Sequence, residues 1–366
     1  MKIAIRTDSS VAIGAGHVMR CLTLAHMLKD LGAEIHFIHS DLKGNLSQVI
    51  KVAGFKVHVF SPDFEHESLS MDSLIAKMSG CSNQDVEKTS KILEKHGPFD
   101  WVIVDHYAFD SNWESQIYSY TKHVFVIDDM ANRSHECDVL LDQNFHFDGA
   151  SRYEGLVPNR CRLLLGTRFL LLRKEFYAVT RNLKRRDQAI FRLLIFFGGS
   201  DVSNETEKAL RAVQMLEGYN LHVDVVVGAS NPYKEKISMI CAEIKDAVFH
   251  CQIDYMAELM CQADLAIGAG GSTTWERCYL GVPALVVILA ENQRIGIEEL
   301  EPIGAFINLG DYRKVKKELI YDQLTDLLNN PDKLRRMRQQ TSKLVSKKSI
   351  IKPKEWIEIF NGEKNQ

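Results

Sequence analysis

The chain has 366 residues, a formal net charge of −3, 45% hydrophobic and 25% charged residues. That length exceeds one ordinary core and fits two domains of roughly 150 to 200 residues, while the near-neutral charge argues against the basic footprint of a nucleic-acid binder. No stretch approaches the ~18 consecutive apolar residues of a membrane span, and the eight cysteines (Cys21, Cys81, Cys137, Cys161, Cys241, Cys251, Cys261 and Cys278) show neither a C-x-x-C pair nor zinc-ligand spacing, so reduced, mostly buried thiols are expected.

The N-terminus runs directly into the strand-like Lys2-Ile3-Ala4-Ile5-Arg6 without the longer apolar segment of a secretory signal, which predicts a cytoplasmic protein. From there to about Phe147, short apolar runs alternate with helix-length segments. The runs are Ile3–Ile5, Ile35–Ile38, Val57–Phe60, Trp101–Val104, Val124–Ile127 and Val139–Leu141. They are apolar on both faces, as in a parallel sheet covered by helices on both sides. Between the first two, Val18, Cys21, Leu22, Ala25, Leu28 and Leu31 form one helical stripe, off which Met19 and Met27 fall. Ser61 to Asn83 is polar and weakly periodic, and reads as a mobile excursion after the third strand. His135-Glu136-Cys137 reads as surface.

A further apolar run at Leu163–Leu165 precedes a helical, then basic segment, Lys174 to Arg186, whose Arg181, Lys184, Arg185 and Arg186 suggest an exposed linker. The domains are therefore expected at 1–185 and 186–366. The rhythm restarts at Leu193–Phe197 and continues through Val223–Val227, Ala247–Phe249, Leu265–Ile267, Ala284–Ile288 and Ala305–Ile307. Helices are expected from about Asn204, Val315 and Pro331, the last carrying the basic run Lys333 to Arg338 on a solvated face, with a short amphipathic Glu355 to Phe360 at the end. The expected fold class is α/β: two Rossmann-like, doubly wound domains facing across a cleft.

Chemistry concentrates after strands. In Gly14-Ala15-Gly16-His17, glycines precede a helix that carries a histidine in its first turn, the side chain best suited to proton exchange near neutral pH. Most of the 13 histidines are expected to be packing or surface residues, but one at the mouth of such a turn is a candidate catalytic group. Gly14 and Gly16 clear space beside it. Asp8 ends the first strand, Asp105-His106-Tyr107 end the fourth and Asp128-Asp129 the fifth. Two adjacent acids without a third ligand make a poor metal site.

In the second half, Gly268-Ala269-Gly270-Gly271-Ser272-Thr273 lie between a strand and a helix, in outline a phosphate cradle, with Ser272 and Thr273 as capping hydroxyls. Glu276, one turn on, is placed to accept from ribose hydroxyls. Gly199-Ser200 form the equivalent turn after the domain's first strand, and Asn292-Gln293 follow Ala284–Ile288 on the same rim. There is no Gly-Lys-Ser/Thr, and Met19 stands where a dinucleotide fingerprint has its third glycine, so classical ATP or nicotinamide binding is disfavoured.

Together these stretches resemble the nucleotide-sugar hydrolases of pseudaminic acid synthesis, relatives in fold of the GT-B glycosyltransferases. The resemblance rests on Arg6-Thr7-Asp8-Ser9-Ser10 with Ile13 to Cys21, Val104-Asp105-His106-Tyr107, Ile127 to Arg133, Cys137 to Asn144, Phe197 to Asp201, and Gly270-Gly271-Ser272 with Glu276. It implies that His17 is a general base activating water at a sugar C1, with inversion and without metal or cofactor. Gly199, Ser200, Gly270, Gly271, Ser272, Thr273 and Glu276 would bind UDP. Asp8, Gly14, Gly16, Asp105, Tyr107, Asn292 and Gln293 would line the sugar, with Asp8 or Asp105 assisting His17. Uracil would lie near Cys251 to Met256. The expected partners are a UDP-sugar and water, with no nucleic acid or membrane, and a monomer suffices. A GT-B transferase, in which His17 deprotonates an acceptor hydroxyl, and a nucleotide-sugar sensor without turnover are the alternatives.

Overall fold

The computed structural model describes residues 1–66, 69–179 and 190–361. Two compact units are present: Met1–Leu171 together with the stretch from Ile350, and Leu172–Ser349.

The first unit is built on seven strands: β1 (Lys2–Thr7), β2 (Glu34–Ser40), β3 (Lys56–Phe60), β4 (Phe99–Asp105), β5 (Thr121–Ile127), β6 (Val139–Asp142) and β7 (Arg162–Leu165). Their order is β3-β2-β1-β4-β5-β6-β7, all parallel. The run expected after Val139–Leu141 thus becomes a seventh strand. Both faces are buried, as period-2 geometry requires: Ile3, Ile5, Trp101 and Ile103 enter one core, and Ala4, Val102 and Val104 the other.

The second unit has β8 (Phe191–Phe196), β9 (Leu221–Val227), β10 (Ala247–Cys251), β11 (Leu265–Ala269), β12 (Ala284–Ile288) and β13 (Phe306–Asp311) in the order β10-β9-β8-β11-β12-β13, again parallel. In each unit the order reverses once, beside the first strand: between β1 and β4, and between β8 and β11. Ligands of open α/β sheets bind at the carboxyl ends of strands flanking such a point.

Three expectations are corrected. The chain divides at Leu171/Leu172 rather than after residue 185, and the final helix, Pro353–Phe360, belongs to the first unit and not to the second. The cause is packing. Trp356, Ile359 and Phe360 are buried in the core of Ile3, Leu24 and Phe125, the Trp101 indole donates to the Phe360 carbonyl (3.0 Å), and the rings of Phe125 and Phe360 stack. Within the presumed linker, Lys174–Ala178 is helical, and Arg181, Lys184, Arg185 and Arg186 lie outside the described residues.

The Ser61 to Asn83 excursion carries a regular helix, Met71–Gly80, capped by the Ser70 hydroxyl on the Ser73 N–H, with Leu74 and Met78 buried. His135 and Cys137 are buried, not surface: the His135 ring sits between Glu114 (2.8 Å) and Asp128 (3.8 Å). The eight cysteines are free, five of them buried, with the Cys137 and Cys161 sulfurs 3.5 Å apart. Met27 is buried and Met19 exposed, which settles the two that fell off the stripe. Among the described residues no helix is long and apolar enough to cross a membrane.

Candidate active site

The first strand ends in Thr7, paired in register with Asp105 at the end of β4. Chain from β1 then folds over itself: the Gly14 N–H donates to the Ser10 carbonyl (2.8 Å) and the Ile13 N–H to the Ser10 hydroxyl (3.0 Å). Gly14 has φ +81°, a conformation glycine adopts without cost. The helix Gly16–Asp30 starts two residues later and carries His17 in its first turn. Because β1 and β4 are neighbours, this brings His17 to Asp105, with Nδ1 2.5 Å from Oδ1.

Asp105 is fully buried and doubly held. Arg20 grips it through Nε (2.6 Å) and Nη2 (2.7 Å), and reaches Asp129 with Nη1 (2.8 Å). Burial alone would raise the Asp105 carboxyl, but the Arg20 guanidinium and the His17 ring hold it well below the usual carboxylate range. An ionised Asp105 keeps the proton of His17 on Nδ1 and leaves Nε2 as the nitrogen able to accept one. The Tyr107 ring meets the imidazole edge-on at 4.4 Å, and its hydroxyl donates to Asp129 (2.8 Å).

Asp8, Ile13, His17, Ile75, His106 and Tyr107 line a small hollow here. Asp8 is spoken for by the protein: it pairs with the buried Arg6 (2.7 Å), accepts from the Ser40 N–H (2.6 Å), and lies 3.1 Å from His39 and 3.3 Å from His106. Of the two acids considered as helpers of His17, the structure joins only Asp105 to it. Burial pushes His106 below its ordinary value, and its Nδ1 accepts the Ala108 N–H (3.0 Å), which puts its proton on the Nε2 facing Asp8. Sequence reasoning missed His106 and Arg20 as site residues. Arg20 was findable, since it lies three residues after His17 on the same helical face. Asp129, considered above as half a metal site, instead anchors Arg20 and Tyr107.

In the second unit, Gly199-Ser200 follow β8, Gly270 to Thr273 follow β11, and Asn292-Gln293 open the helix Glu291–Leu300 after β12, so all sit at strand carboxyl ends. Close approach explains several glycines here: a Cβ on Gly228 would run into the Gly199 carbonyl oxygen, one on Gly268 into the Phe196 carbonyl oxygen, and one on Gly270 into the Ile297 side chain. Asp201 caps the helix Glu205–Gln214 through the N–H groups of Glu205 and Thr206 (both 2.9 Å), fixing the Gly199-Ser200 turn before it.

At the start of the helix Thr273–Leu280 the Thr274 N–H donates to the Gly271 carbonyl (2.9 Å) and the Trp275 N–H to the Ser272 carbonyl (3.1 Å), which folds the glycine turn into the first turn of the helix. Ser272 at its N-cap makes no side-chain capping bond, contrary to expectation; its backbone is already helical (φ −53°, ψ −30°), outside the extended range from which capping side chains reach the first N–H groups. Gln293 packs beside the glycines, its amide nitrogen 3.6 Å from where a Gly271 Cβ would be.

Two arginines here had no sequence signal. Arg173 forks onto Glu276 (2.9 and 3.3 Å), so the carboxylate expected to meet a ribose is already oriented by a guanidinium. Arg277 is buried directly under the glycine turn, donating to the Ala269 carbonyl and the Thr274 hydroxyl (both 2.9 Å), and among the described residues it forms no ion pair with a carboxylate. Burial pushes its guanidinium down to about 10. A buried cation that pairs with no carboxylate among the described residues, beside helix N–H groups, favours an anionic ligand. At the proposed uracil stretch, Gln252 has φ +52° and its side chain accepts from the Ala229 N–H (3.2 Å).

Two parallel, doubly wound units, one with a histidine–aspartate pair and the other with a glycine turn over a buried arginine, define a GT-B glycosyltransferase-like fold. A solved structure of the spinosyn rhamnosyltransferase SpnG superposes with a TM-score of 0.70 at 14% identity, covering 99% of this chain and 100% of that one. Residues 193–353 match the family model described as glycosyltransferase family 28 C-terminal domain. Among curated proteins the chain is similar to the uncharacterized protein MJ1062 of Methanocaldococcus jannaschii, 29% identical over 80% of this chain and 57% of that protein, so it spans little more than half that relative's length. It is also 27% identical, over 80% of this chain and 93% of the relative, to the UDP-2,4-diacetamido-2,4,6-trideoxy-beta-L-altropyranose hydrolase of Campylobacter jejuni.

Proposed function

We propose that this protein hydrolyses a UDP-linked diacetamido-trideoxyhexose at its anomeric carbon, a step of pseudaminic acid synthesis, in the cytoplasm. The observation that carries the reading is the His17–Asp105 pair at the mouth of the Gly14–Gly16 turn. His17 Nε2 takes a proton from water, whose oxygen forms a bond to C1 as the C1–O bond to the β-phosphate breaks, and the configuration inverts. UDP leaves with both electrons of that bond. Asp105 stabilises the imidazolium that forms, and Arg20 keeps Asp105 ionised while the proton is held.

The second unit takes the nucleotide: N–H groups at Gly270, Gly271, Ser272 and Thr273 and the cation of Arg277 meet the diphosphate, Gly199-Ser200 border it, and Glu276 takes the ribose. Preorganised donors of this kind each supply roughly 10²-fold or more when the leaving group's charge develops. Gly14, Gly16 and Tyr107 shape the sugar subsite of the first unit, and no metal or cofactor is required. The Campylobacter jejuni relative's name and the glycine–histidine turn support the reading.

The glycosyltransferase match over 193–353 favours a second reading, transfer of the sugar to an acceptor hydroxyl with His17 as its base. Turnover of the UDP-sugar in ¹⁸O water separates them. Label at C1 of free sugar is the expected result. Label in the released phosphate means attack at phosphorus and overturns the mechanism, and release of UDP only when an acceptor is added establishes transfer.

A further inference from the structure

Three histidines unrelated to the site above converge at the opposite end of the first sheet. His36 is the third residue of β2 and His58 the third of β3. Ile38 is paired in register with His58, so His36 and His58 are diagonal neighbours on one face of the sheet. His96 is the last residue of the helix Ser82–His96. One ring nitrogen from each of the three lies within 4.8 Å of the others, with His36 Nδ1 3.0 Å from His58 Nε2 and the rings of His58 and His96 4.2 Å apart between centroids.

The surroundings hold these rings in a ligand-like state. Glu34 Oε1 accepts from His36 Nε2 (2.9 Å), which leaves the lone pair of His36 on Nδ1, turned toward His58. A carboxylate on the distal nitrogen is the usual outer partner of a metal-bound histidine, fixing its tautomer and raising its basicity. Phe99 meets the His36 ring edge-on at 5.2 Å, and the Lys2 ammonium donates to the His96 carbonyl, tying the end of that helix to the start of β1. His58 Nε2 then donates to the His36 lone pair (3.0 Å), and a divalent cation binding there would displace this proton.

We propose that His36, His58 and His96 form a binding site for a borderline divalent transition-metal ion, Zn²⁺ foremost, with a solvent molecule completing a four-coordinate shell. Three imidazoles suit zinc, copper or nickel rather than magnesium or calcium, which take oxygen ligands. With Zn–N bonds of about 2.1 Å, tetrahedral ligand nitrogens stand about 3.4 Å apart. The first pair is already near that spacing, and the third ring has to move by less than about 1.5 Å to reach it. The ion would pin β3, the edge strand of its sheet, and the end of the helix Ser82–His96 to β2. It lies at the amino ends of the strands, whereas His17 and Asp105 lie at the carboxyl ends, so its role is structural and it takes no part in the reaction proposed above.

The test uses the untagged full-length chain, stripped with chelator and titrated with Zn²⁺ by calorimetry and with Co²⁺ by visible absorption. One equivalent of Zn²⁺, d–d bands of four-coordinate Co²⁺, and a rise in Tm of roughly 5 °C or more at a hundred-fold excess over Kd are expected. His58→Gln should remove that equivalent. Glu34→Gln, which leaves all three ligands in place on a solvent-facing side chain, should weaken binding 10- to 100-fold. His17→Gln should bind metal as the parent does. Absence of Zn²⁺ binding by the parent overturns the proposal. So does unchanged stoichiometry and affinity in the combined His36→Gln, His58→Gln, His96→Gln variant, which would place the metal elsewhere.

Discussion

Nδ1 of His17 and Oδ1 of Asp105 stand 2.5 Å apart, and the same carboxylate is clasped by Arg20 at 2.6 and 2.7 Å. With the Cys21 thiol also donating to it (3.4 Å), Asp105 receives donors from three residues of one helix across the point where strand order reverses. The arrangement fixes which imidazole nitrogen faces the substrate, and it does so with an ion pair that resists protonation of the carboxylate.

Replacing Asp105 by Asn removes the ionic partner while keeping the size of the side chain. The expected effect on UDP release is a fall in kcat of roughly 10²- to 10⁴-fold with little change in KM. His17→Ala should abolish release and leave UDP affinity within about two-fold of the parent. Steady-state kinetics and calorimetry with UDP check both, and an Asp105→Asn variant of normal kcat would remove this carboxylate from the mechanism.

Arg277 lies under the glycine turn with hydrogen bonds to Ala269 and Thr274. In Arg277→Met the apolar stem is retained and the charge is lost. UDP should bind about ten-fold more weakly, equivalent to ~1.4 kcal/mol, while affinity for uridine, which lacks the phosphates, stays the same. Equal loss for both ligands would indicate a general disturbance of the unit instead of a lost anion contact.

Trp356 is fully buried among side chains of the first unit although it lies far from them in sequence. Trp356→Ala should cost about 3–5 kcal/mol of that unit's stability. Hydrogen exchange read by mass spectrometry should show lost protection in peptides of β1 and β4 and none in those of β8 and β11. Uniform loss across both would contradict the assignment of the last helix to the first unit.

His135 gives a pH signature. Burial alone would lower it, but Asp128 and Glu114 push it up to about 9, above its ordinary value near 6.5. A group whose folded value is raised contributes stability that is complete below about pH 6.5 and lost as pH rises through about 9, here on the order of 3 kcal/mol. Urea denaturation of the parent between pH 6 and 10 should show that decline. His135→Gln should be less stable at pH 6 and flatter across the range, and a variant with the parent's slope would show that other groups set it.

The strands and their placement were legible in the sequence, because runs such as Trp101–Val104 and Leu265–Ile267 are apolar on both faces and only a covered parallel sheet buries both. The glycine turns were legible too, since glycines just past an apolar run mark a strand end, as at Gly14 and at Gly270-Gly271. The single acid bound to His17 was not. Asp8 and Asp105 are equivalent as ends of strands, and what separates them is that Arg6, placed by β1 itself, takes Asp8, while the neighbouring β1 and β4 bring Asp105 under the helix of His17.

By itself the sequence determined the α/β class, the strand list, the two glycine turns and His17 as the candidate base, all of which depend on local spacing and hydrophobic period. Tertiary structure alone decided the pairings that join distant segments: Arg20 with Asp105, Arg173 with Glu276, Trp356 with the core around Ile3, and the three histidines at the edge of the first sheet. Such contacts depend on which strands become neighbours, and that is settled by burial across the whole domain, for which no short stretch of residues carries a signal.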